Sequence, residues 1–266
     1  MGRLPEKVAV VTGGSRNIGR GICHAMCHEG ARLWILDIDD AGARATTDSL
    51  RSAGRDAHFL HCDVTRPGQV DSAVQQVLGE AGRIDILVNN VGGSSGLRLN
   101  DVDDVTLERN LAKNFKSAFN CTRAVCPSMS SLSSGSVVFI SSVNAMLGGF
   151  GEVAYSAAKA GLHSLVKSLT AEYSPQGLRF NVVCLGSVPG DSLTWQKREQ
   201  QDPGTLEKLA RAYPMRRVGT PEDAAAAVVF FASDESSWIT GVVLPVDGGI
   251  TATGLLHGGD WWTSLG

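Results

Sequence analysis

The chain is 266 residues long, with 43% hydrophobic residues, 19% charged residues and a formal net charge of −3. This composition allows one large apolar core, and the slightly acidic balance excludes the basic surface that nucleic-acid binding requires. The longest apolar run, residues 224–232, is too short to cross a bilayer, and no secretory segment opens the chain. We therefore expect a cytoplasmic protein with neither a nucleic-acid nor a membrane partner. Six cysteines without a C-x-x-C pair favour buried free thiols, and we expect no metal.

Short apolar runs rich in β-branched residues alternate with longer helix-forming segments along the chain. Strands are predicted at residues 7–12, 32–37, 57–62, 84–89, 136–141, 180–184 and 242–246. Helices are predicted at about 19–29, 39–53, 67–82, 105–131, 152–174, 205–212 and 221–233. This alternation predicts one α/β domain, residues 1–266, built on a doubly wound parallel sheet of about seven strands with helices on both faces. Right-handed crossovers would bring the loops after the first, fourth and fifth strands to one edge, where ligands bind.

A glycine-rich turn follows the first strand and opens a helix, with the sequence Thr-Gly-Gly-Ser-Arg-Asn-Ile-Gly at residues 12–19. Glycines there permit a tight turn and let phosphates approach the backbone and the helix N-terminus. Asn17 tolerates left-handed backbone better than other non-glycine residues. We therefore predict a phosphate-binding turn whose cofactor-binding residues are Gly13, Ser15, Arg16, Asn17, Ile18 and Gly19.

The end of the second strand carries Asp37, eighteen residues beyond Gly19. A carboxylate at this place accepts hydrogen bonds from the adenosine ribose hydroxyls and repels a 2′-phosphate, which favours NAD over NADP. Arg16 acts in the opposite direction, because an arginine in this turn can pair with a 2′-phosphate. We give Asp37 more weight and expect NAD, with NADP as the alternative.

A third motif joins the end of the fifth strand to the helix that follows it. Tyr155 and Lys159 are four residues apart, so one helical turn places them on the same face. An ammonium beside a phenol lowers the pKa of the phenol, which makes Tyr155 a candidate acid or base near neutral pH. Ser142, at the carboxyl end of the strand, could hydrogen-bond the same reacting oxygen.

Together these motifs resemble the short-chain dehydrogenase/reductase family. Ser142 lies thirteen residues before Tyr155, which is the family spacing, and residues 12–19 resemble the family pattern T-G-x-x-x-G-x-G with Asn17 in place of the middle glycine. The resemblance extends over residues 7–249 and implies a Rossmann-type fold. It implies an oxidoreductase that transfers a hydride between NAD(H) and a secondary alcohol or ketone, with Tyr155 as acid/base.

The resemblance also implies roles for residues beyond this motif. Lys159 would lower the pKa of Tyr155 and bind the nicotinamide ribose, and Ser142 would hold the substrate oxygen. Asn114, forty-one residues before Tyr155, would hold a water beside Lys159. The predicted catalytic set is therefore Ser142, Tyr155, Lys159 and Asn114, with Tyr155 and Lys159 also binding cofactor.

Further cofactor contacts are implied at three strand ends. Asp63 and Val64 would meet the adenine, and Asn90 and Gly92 belong to an N-N-V-G sequence that resembles the family's N-N-A-G along the cofactor ribose. After the sixth strand the family usually has a proline where this chain has a leucine. Val188 would then contact the nicotinamide carboxamide.

Substrate identity is open at this level. The predicted substrate-binding residues are Ser142, Asn144, Phe150, Tyr155 and Trp195. The candidate wall residues are mostly apolar, which favours a neutral small molecule, and they are Gly93, Ser94, Asn144, Leu147, Phe150, Pro189 and Trp195. The segment 185–214 is predicted to be a long irregular lid over the site, and residues 248–266 form a tail containing Trp261 and Trp262.

Family resemblance implies a homotetramer or homodimer formed by the Tyr155 helix and the long 105–131 helix. Two other functions remain as alternatives: an NADP(H)-dependent ketoreductase, and a dinucleotide-binding regulator without turnover. The spacing of Tyr155 and Lys159 argues against an enoyl reductase of the related type, in which this spacing is wider.

Overall fold

The computed structural model describes residues 2–94 and 96–253. Within them, seven strands form a single sheet in the order β3-β2-β1-β4-β5-β6-β7, and every neighbouring pair is parallel. The strands are β1 Val8–Thr12, β2 Arg32–Asp37, β3 Ala57–His61, β4 Ile86–Asn89, β5 Gly135–Ser142, β6 Leu178–Leu185 and β7 Val243–Val246. The predicted doubly wound parallel fold is confirmed.

Helices lie around this sheet. The helices are α1 Asn17–His28, α2 Asp40–Ser52, α3 Pro67–Ala81, α4 Asp104–Leu111, α5 Ser117–Ser131, α6 Asn144–Leu147, α7 Val153–Tyr173, α8 Leu193–Gln201, α9 Thr205–Ala212, α10 Pro221–Ala232 and α11 Ile250–Thr253. None of the helices in the described residues is long and apolar enough to cross a membrane. Trp261 and Trp262, which the sequence analysis placed in the tail, lie outside the described residues.

The two faces of the sheet bury separate apolar cores. All five residues of β1 are buried, with Val8 and Val10 in one core and Ala9 and Val11 in the other. A parallel strand covered by helices on both faces needs apolar side chains at every position, which explains the uninterrupted apolar runs in the sequence. The chain reverses its direction of strand addition between β1 and β4, so a crevice opens at their carboxyl ends.

The predicted helix over 105–131 is not uniform. Between α4 and α5, residues Ala112–Lys116 form a π-helical turn that contains Asn114. The Asn114 side chain donates to the carbonyl of Asn110 at 3.1 Å, which in an α-helix would accept the backbone N–H of residue 114. This competition favours a local widening of the helix, and such turns are frequent at functional sites.

The predicted irregular lid is wrong in part. Strand β6 continues through Leu185, and the segment after it contains α8 in addition to the predicted helix α9. None of the α8 side chains is buried, so its sequence carries no apolar periodicity from which a helix could be predicted.

The last strand is held to its neighbour by a side chain as well as by the sheet. Asn181 is completely buried in β6; its Nδ2 donates to the carbonyl of Ile239 at 2.9 Å and its Oδ1 accepts from the backbone N–H of Val242 at 3.1 Å. These two bonds fix the chain entering β7, which leads into the turn at Asp247.

Replacing Asn181 by leucine should therefore destabilise the fold. Both backbone groups would lose their partner inside the protein, which costs about 3 kcal/mol in the free energy of unfolding. Urea unfolding followed by circular dichroism measures this loss, with Asn100→Leu as the control because Asn100 is exposed. Equal stability of the two variants would contradict the assigned role.

Candidate active site

A cavity of about 1080 Å3 opens at the carboxyl ends of β1, β4 and β5. Its wall includes the glycine-rich turn, the end of β5, the first turns of α7, and α8. Of the site residues predicted from sequence, all except Asp63, Val64 and Asn114 border it. The parallel sheet thus gathers motifs that lie far apart in the chain.

The glycine-rich turn is tight, and its glycines keep side chains away from the N-terminus of α1. Gly13 has a φ of 70°, and a Cβ on Gly19 would lie 1.9 Å from the carbonyl oxygen of Gly13. Asn17 begins α1 with a φ of 43°, the left-handed conformation expected from its sequence position. Only glycine can lie this close to the Gly13 carbonyl. The turn therefore leaves the backbone N–H groups at the N-terminus of α1 open to a ligand.

Asp37 lies at the end of β2, where the adenosine ribose is expected. One carboxylate oxygen accepts the N–H of Ser15 at 2.9 Å and the other accepts that of Asp39 at 2.9 Å. Each oxygen keeps capacity for a further donor. Arg16 does not pair with Asp37; it donates to Asp39 Oδ2 at 2.7 Å.

Tyr155 and Ser142 are neighbours on the cavity wall. Burial raises the pKa of Tyr155 to about 12, while its hydrogen bond with Ser142 acts to lower this pKa. The groups that shift the pKa of Tyr155 in this structure do not include Lys159. The Lys159 ammonium instead donates to the carbonyl of Ile140 at 2.8 Å.

Lys159 is 2% exposed, and burial lowers its pKa to about 8, with the charge of Lys113 acting in the same direction. Gly92 makes room for it, because a Cβ there would lie 2.7 Å from Lys159 Nζ and 2.9 Å from Asn114 Oδ1. Lys159 and Asn114 therefore converge on the same glycine.

Asn114 is buried directly behind the cavity wall. Its Oδ1 accepts the N–H of Gly93 at 2.8 Å and its Nδ2 donates to the carbonyl of the same residue at 3.1 Å. The side chain thereby fixes the backbone that follows β4.

The two residues predicted to meet the adenine differ from expectation. Asp63 and Val64 lie off the cavity wall, and Asp63 is engaged by Thr65, whose backbone N–H and hydroxyl donate to it at 3.0 and 2.6 Å. Asn90 borders the cavity, but its amide donates to the carbonyls of Thr12 and Gly13 at 3.0 and 2.9 Å. Asn90 therefore also ties the ends of β4 and β1 together.

The expected apolar substrate wall is incomplete, because charged side chains also border the cavity. Glu152 is 9% exposed, accepts a hydrogen bond from Ser94, and lies 3.8 Å from an Arg198 nitrogen. Burial raises the pKa of Glu152. Lys113 also borders the cavity. In the described residues, no three His, Cys, Asp or Glu side chains group in a way that could hold a metal ion.

Comparison with known proteins identifies the family. Residues 13–251 match the family model described as enoyl-(acyl carrier protein) reductase. The chain is 36% identical to oxidoreductase UcpA of Escherichia coli (strain K12), over 94% of this chain and 97% of that protein. An oxidoreductase of the short-chain dehydrogenase/reductase family from Burkholderia thailandensis has a crystal structure with a TM-score of 0.86 and 33% identity, over 93% of each chain. The chain is a short-chain dehydrogenase/reductase.

This short-chain dehydrogenase/reductase is therefore an enzyme, an oxidoreductase acting on CH–OH groups, and dependence on NAD(P) is general in its family. A further relative is 2-(S)-hydroxypropyl-CoM dehydrogenase 3 of Xanthobacter autotrophicus, which is 33% identical over 94% of this chain and 98% of its own length.

The buried Lys159 should make stability depend on pH in a defined direction. Its pKa is about 8 in the folded protein and close to 10.5 when unfolded, so the buried ammonium costs stability below pH 8. This cost is lost as the pH rises toward 10.5. Between pH 7 and pH 10, the wild type should therefore gain about 2 kcal/mol relative to Lys159→Met, measured by urea unfolding without cofactor.

Lys167→Met, which removes an exposed lysine of the same helix, is the control for losing a positive charge on α7. A stability difference between wild type and Lys159→Met that stays constant from pH 7 to pH 10 would contradict the assignment of a buried ammonium.

Proposed function

We propose that this enzyme transfers a hydride between NAD(H) and a secondary alcohol or ketone, with Tyr155 as the acid/base. The observation that carries the proposal is the position of Ser142, Tyr155 and Lys159 on one wall of a cavity that also contains the glycine-rich turn. Reactant and cofactor held in one cleft can reach the short distances that hydride transfer requires.

The residues would divide the work as follows. When bound, the nicotinamide supplies or accepts the hydride, which is the chemistry of the cofactor. Ser142 would hold the substrate oxygen, and Tyr155 would give its proton to that oxygen during reduction. A pKa of about 12 means that Tyr155 keeps its proton at neutral pH, so it is ready to act as the acid.

Lys159 would bind the nicotinamide ribose through its ammonium. An ammonium has three donor positions, and the Ile140 carbonyl takes one of them, which leaves two for ribose hydroxyls. Asn114 would hold a water behind Lys159, as the family resemblance implies. It would also position Gly92 and Gly93, through its two hydrogen bonds to Gly93.

The segment between β6 and α10 would act as a lid, although it is largely helical. Arg198 of α8 stacks over Trp195 at 4.8 Å from the ring centroid and reaches Glu152 next to the catalytic helix. Closure of α8 over the cavity would exclude water from the reacting carbon. The enzyme would assemble as a homotetramer or homodimer through α4, α5 and α7.

Reduction of a carbon–carbon double bond is the main competing reaction, because the matching family model is described as an enoyl reductase. The spacing of Tyr155 and Lys159 favours carbonyl chemistry. An assay of NAD(P)H oxidation with ketones and with enoyl thioesters separates the two reactions. No turnover with either class, together with intact cofactor binding, would favour the regulator.

Tyr155→Phe should reduce turnover by about 10² or more while leaving the fold and cofactor binding intact, because it removes only the hydroxyl group whose proton the reaction needs. Tyr173→Phe makes the same chemical change at the far end of α7, outside the cavity, and should retain full activity. Steady-state kcat with a ketone panel measures both. Wild-type turnover in a folded Tyr155→Phe variant would refute the assignment.

The cofactor preference should be for NAD(H). Asp37 lies at the ribose end of the cleft, and Arg16 is already paired with Asp39, so the arginine is less available to a 2′-phosphate. The kcat/KM values with NADH and NADPH measure the preference. Asp37→Ser should reduce the ratio of kcat/KM with NADH to kcat/KM with NADPH. Asp40→Ser, which changes an exposed residue of α2, should leave this ratio unchanged. A wild-type preference for NADPH would show that Arg16 dominates.

A further inference from the structure

Lys113 differs from the other cations on the cavity wall. Arg16, Arg198 and Lys208 each have a carboxylate partner, and Lys159 donates to a carbonyl. Within residues 2–94 and 96–253, no hydrogen bond or ion pair is formed by the Lys113 ammonium. The Lys113 ammonium is therefore available to an anion that enters the cleft.

The ammonium lies against the backbone that follows β4. A Cβ on Gly93 would lie 2.8 Å from Lys113 Nζ, so the ammonium rests directly over this glycine. The neighbouring Asn114 bonds both the N–H and the carbonyl of Gly93, and both residues belong to the π-helical turn. The widened turn therefore presents two successive side chains to the strand end after β4.

Lys113 also lies within a row of positive charges along the cleft. Lys113 is an exposed residue, yet partial desolvation of its ammonium lowers its pKa, and the charge of Arg16 adds to this effect. Lys113 in turn lowers the pKa of Lys159. Lys113 thus interacts electrostatically with Arg16, where the adenosine end of the cofactor is expected, and with Lys159, where the nicotinamide end is expected.

We propose that Lys113 binds a phosphate of the dinucleotide, and this inference rests on the proposed function. Arg16 and Lys159 would mark the two ends of the cofactor, and Lys113 borders the same cavity and interacts electrostatically with both. The pyrophosphate is the anionic group in the middle of such a molecule, and an adenosine 2′-phosphate is the second phosphate source. Lys113 would then contribute affinity for the cofactor and hold no substrate group.

Calorimetric titration with NAD+ and with NADP+ tests this without turnover. Lys113→Met should raise the Kd for NAD+ about tenfold, because a charge-assisted hydrogen bond is lost. Lys113→Arg should restore most of the affinity. Lys116→Met is the matched control, because this exposed lysine of the same turn pairs with Glu108 and does not border the cavity. The loss should shrink at high salt.

The pattern of the losses distinguishes the phosphate. Equal losses for NAD+ and NADP+ assign the pyrophosphate, and a loss confined to NADP+ assigns the 2′-phosphate. Unchanged Kd values for both cofactors would overturn the proposal, and so would an equal loss in Lys116→Met. A raised KM for the ketone with unchanged cofactor affinity would show that Lys113 serves the substrate. A wild-type enzyme that binds neither cofactor would instead refute the proposed function itself.

Discussion

A buried ammonium is the constraint on which the geometry of this site depends. Lys159 is almost inaccessible to water, and such a charge is tolerated only where backbone dipoles and space are supplied for it. The last residues of β5 supply a carbonyl at Ile140, and the glycine at position 92 supplies the space. Any residue larger than glycine at position 92 would displace Lys159 or Asn114, so the packing around the cavity depends on this glycine.

The parallel sheet brings the other parts of the cleft next to this lysine. Because the carboxyl ends of β1, β4 and β5 meet at one edge, the glycine-rich turn, Gly92 and Ser142 come together although they are far apart in sequence. Side chains then tie the segment after β6 to the glycine-rich turn and α1. Asn17 donates to the carbonyl of Pro189 at 3.1 Å, and Arg20 pairs with Asp191 at 2.8 Å. The phosphate turn and the entry to α8 are thus mechanically coupled.

Sequence reasoning succeeded where a local rule sufficed. Apolar runs predicted the strands, because a parallel strand covered on both faces leaves no polar positions, and the four-residue spacing of Tyr155 and Lys159 predicted that both would lie on one helix face, where both border the cavity. Helix α8 escaped prediction because it buries nothing. Glu152 could have been found, since a residue three positions before Tyr155 shares its helix face.

Lys113 could not have been found from sequence in the same way. Adjacent residues of an α-helix diverge by about 100°, so Lys113 and Asn114 are expected on different faces. The π-helical turn brings both to the same strand end, where Asn114 accepts a hydrogen bond from the backbone N–H of Gly93, a residue distant in sequence. The charges on the substrate wall were missed for a similar reason, because Arg198 reaches the cavity from a helix without apolar periodicity.

The distribution of cysteines has a consequence for following the protein in solution. All six thiols are buried and free, and burial raises the pKa of Cys27, Cys126 and Cys184 to about 12, so these thiols are poor nucleophiles in the folded state. Cys23 and Cys27 lie in the core on one face of the sheet, whereas the other four lie in the core on the opposite face. The rate of alkylation at each cysteine would therefore report when the core that contains it opens. The opening of the two cores can thus be followed separately during unfolding.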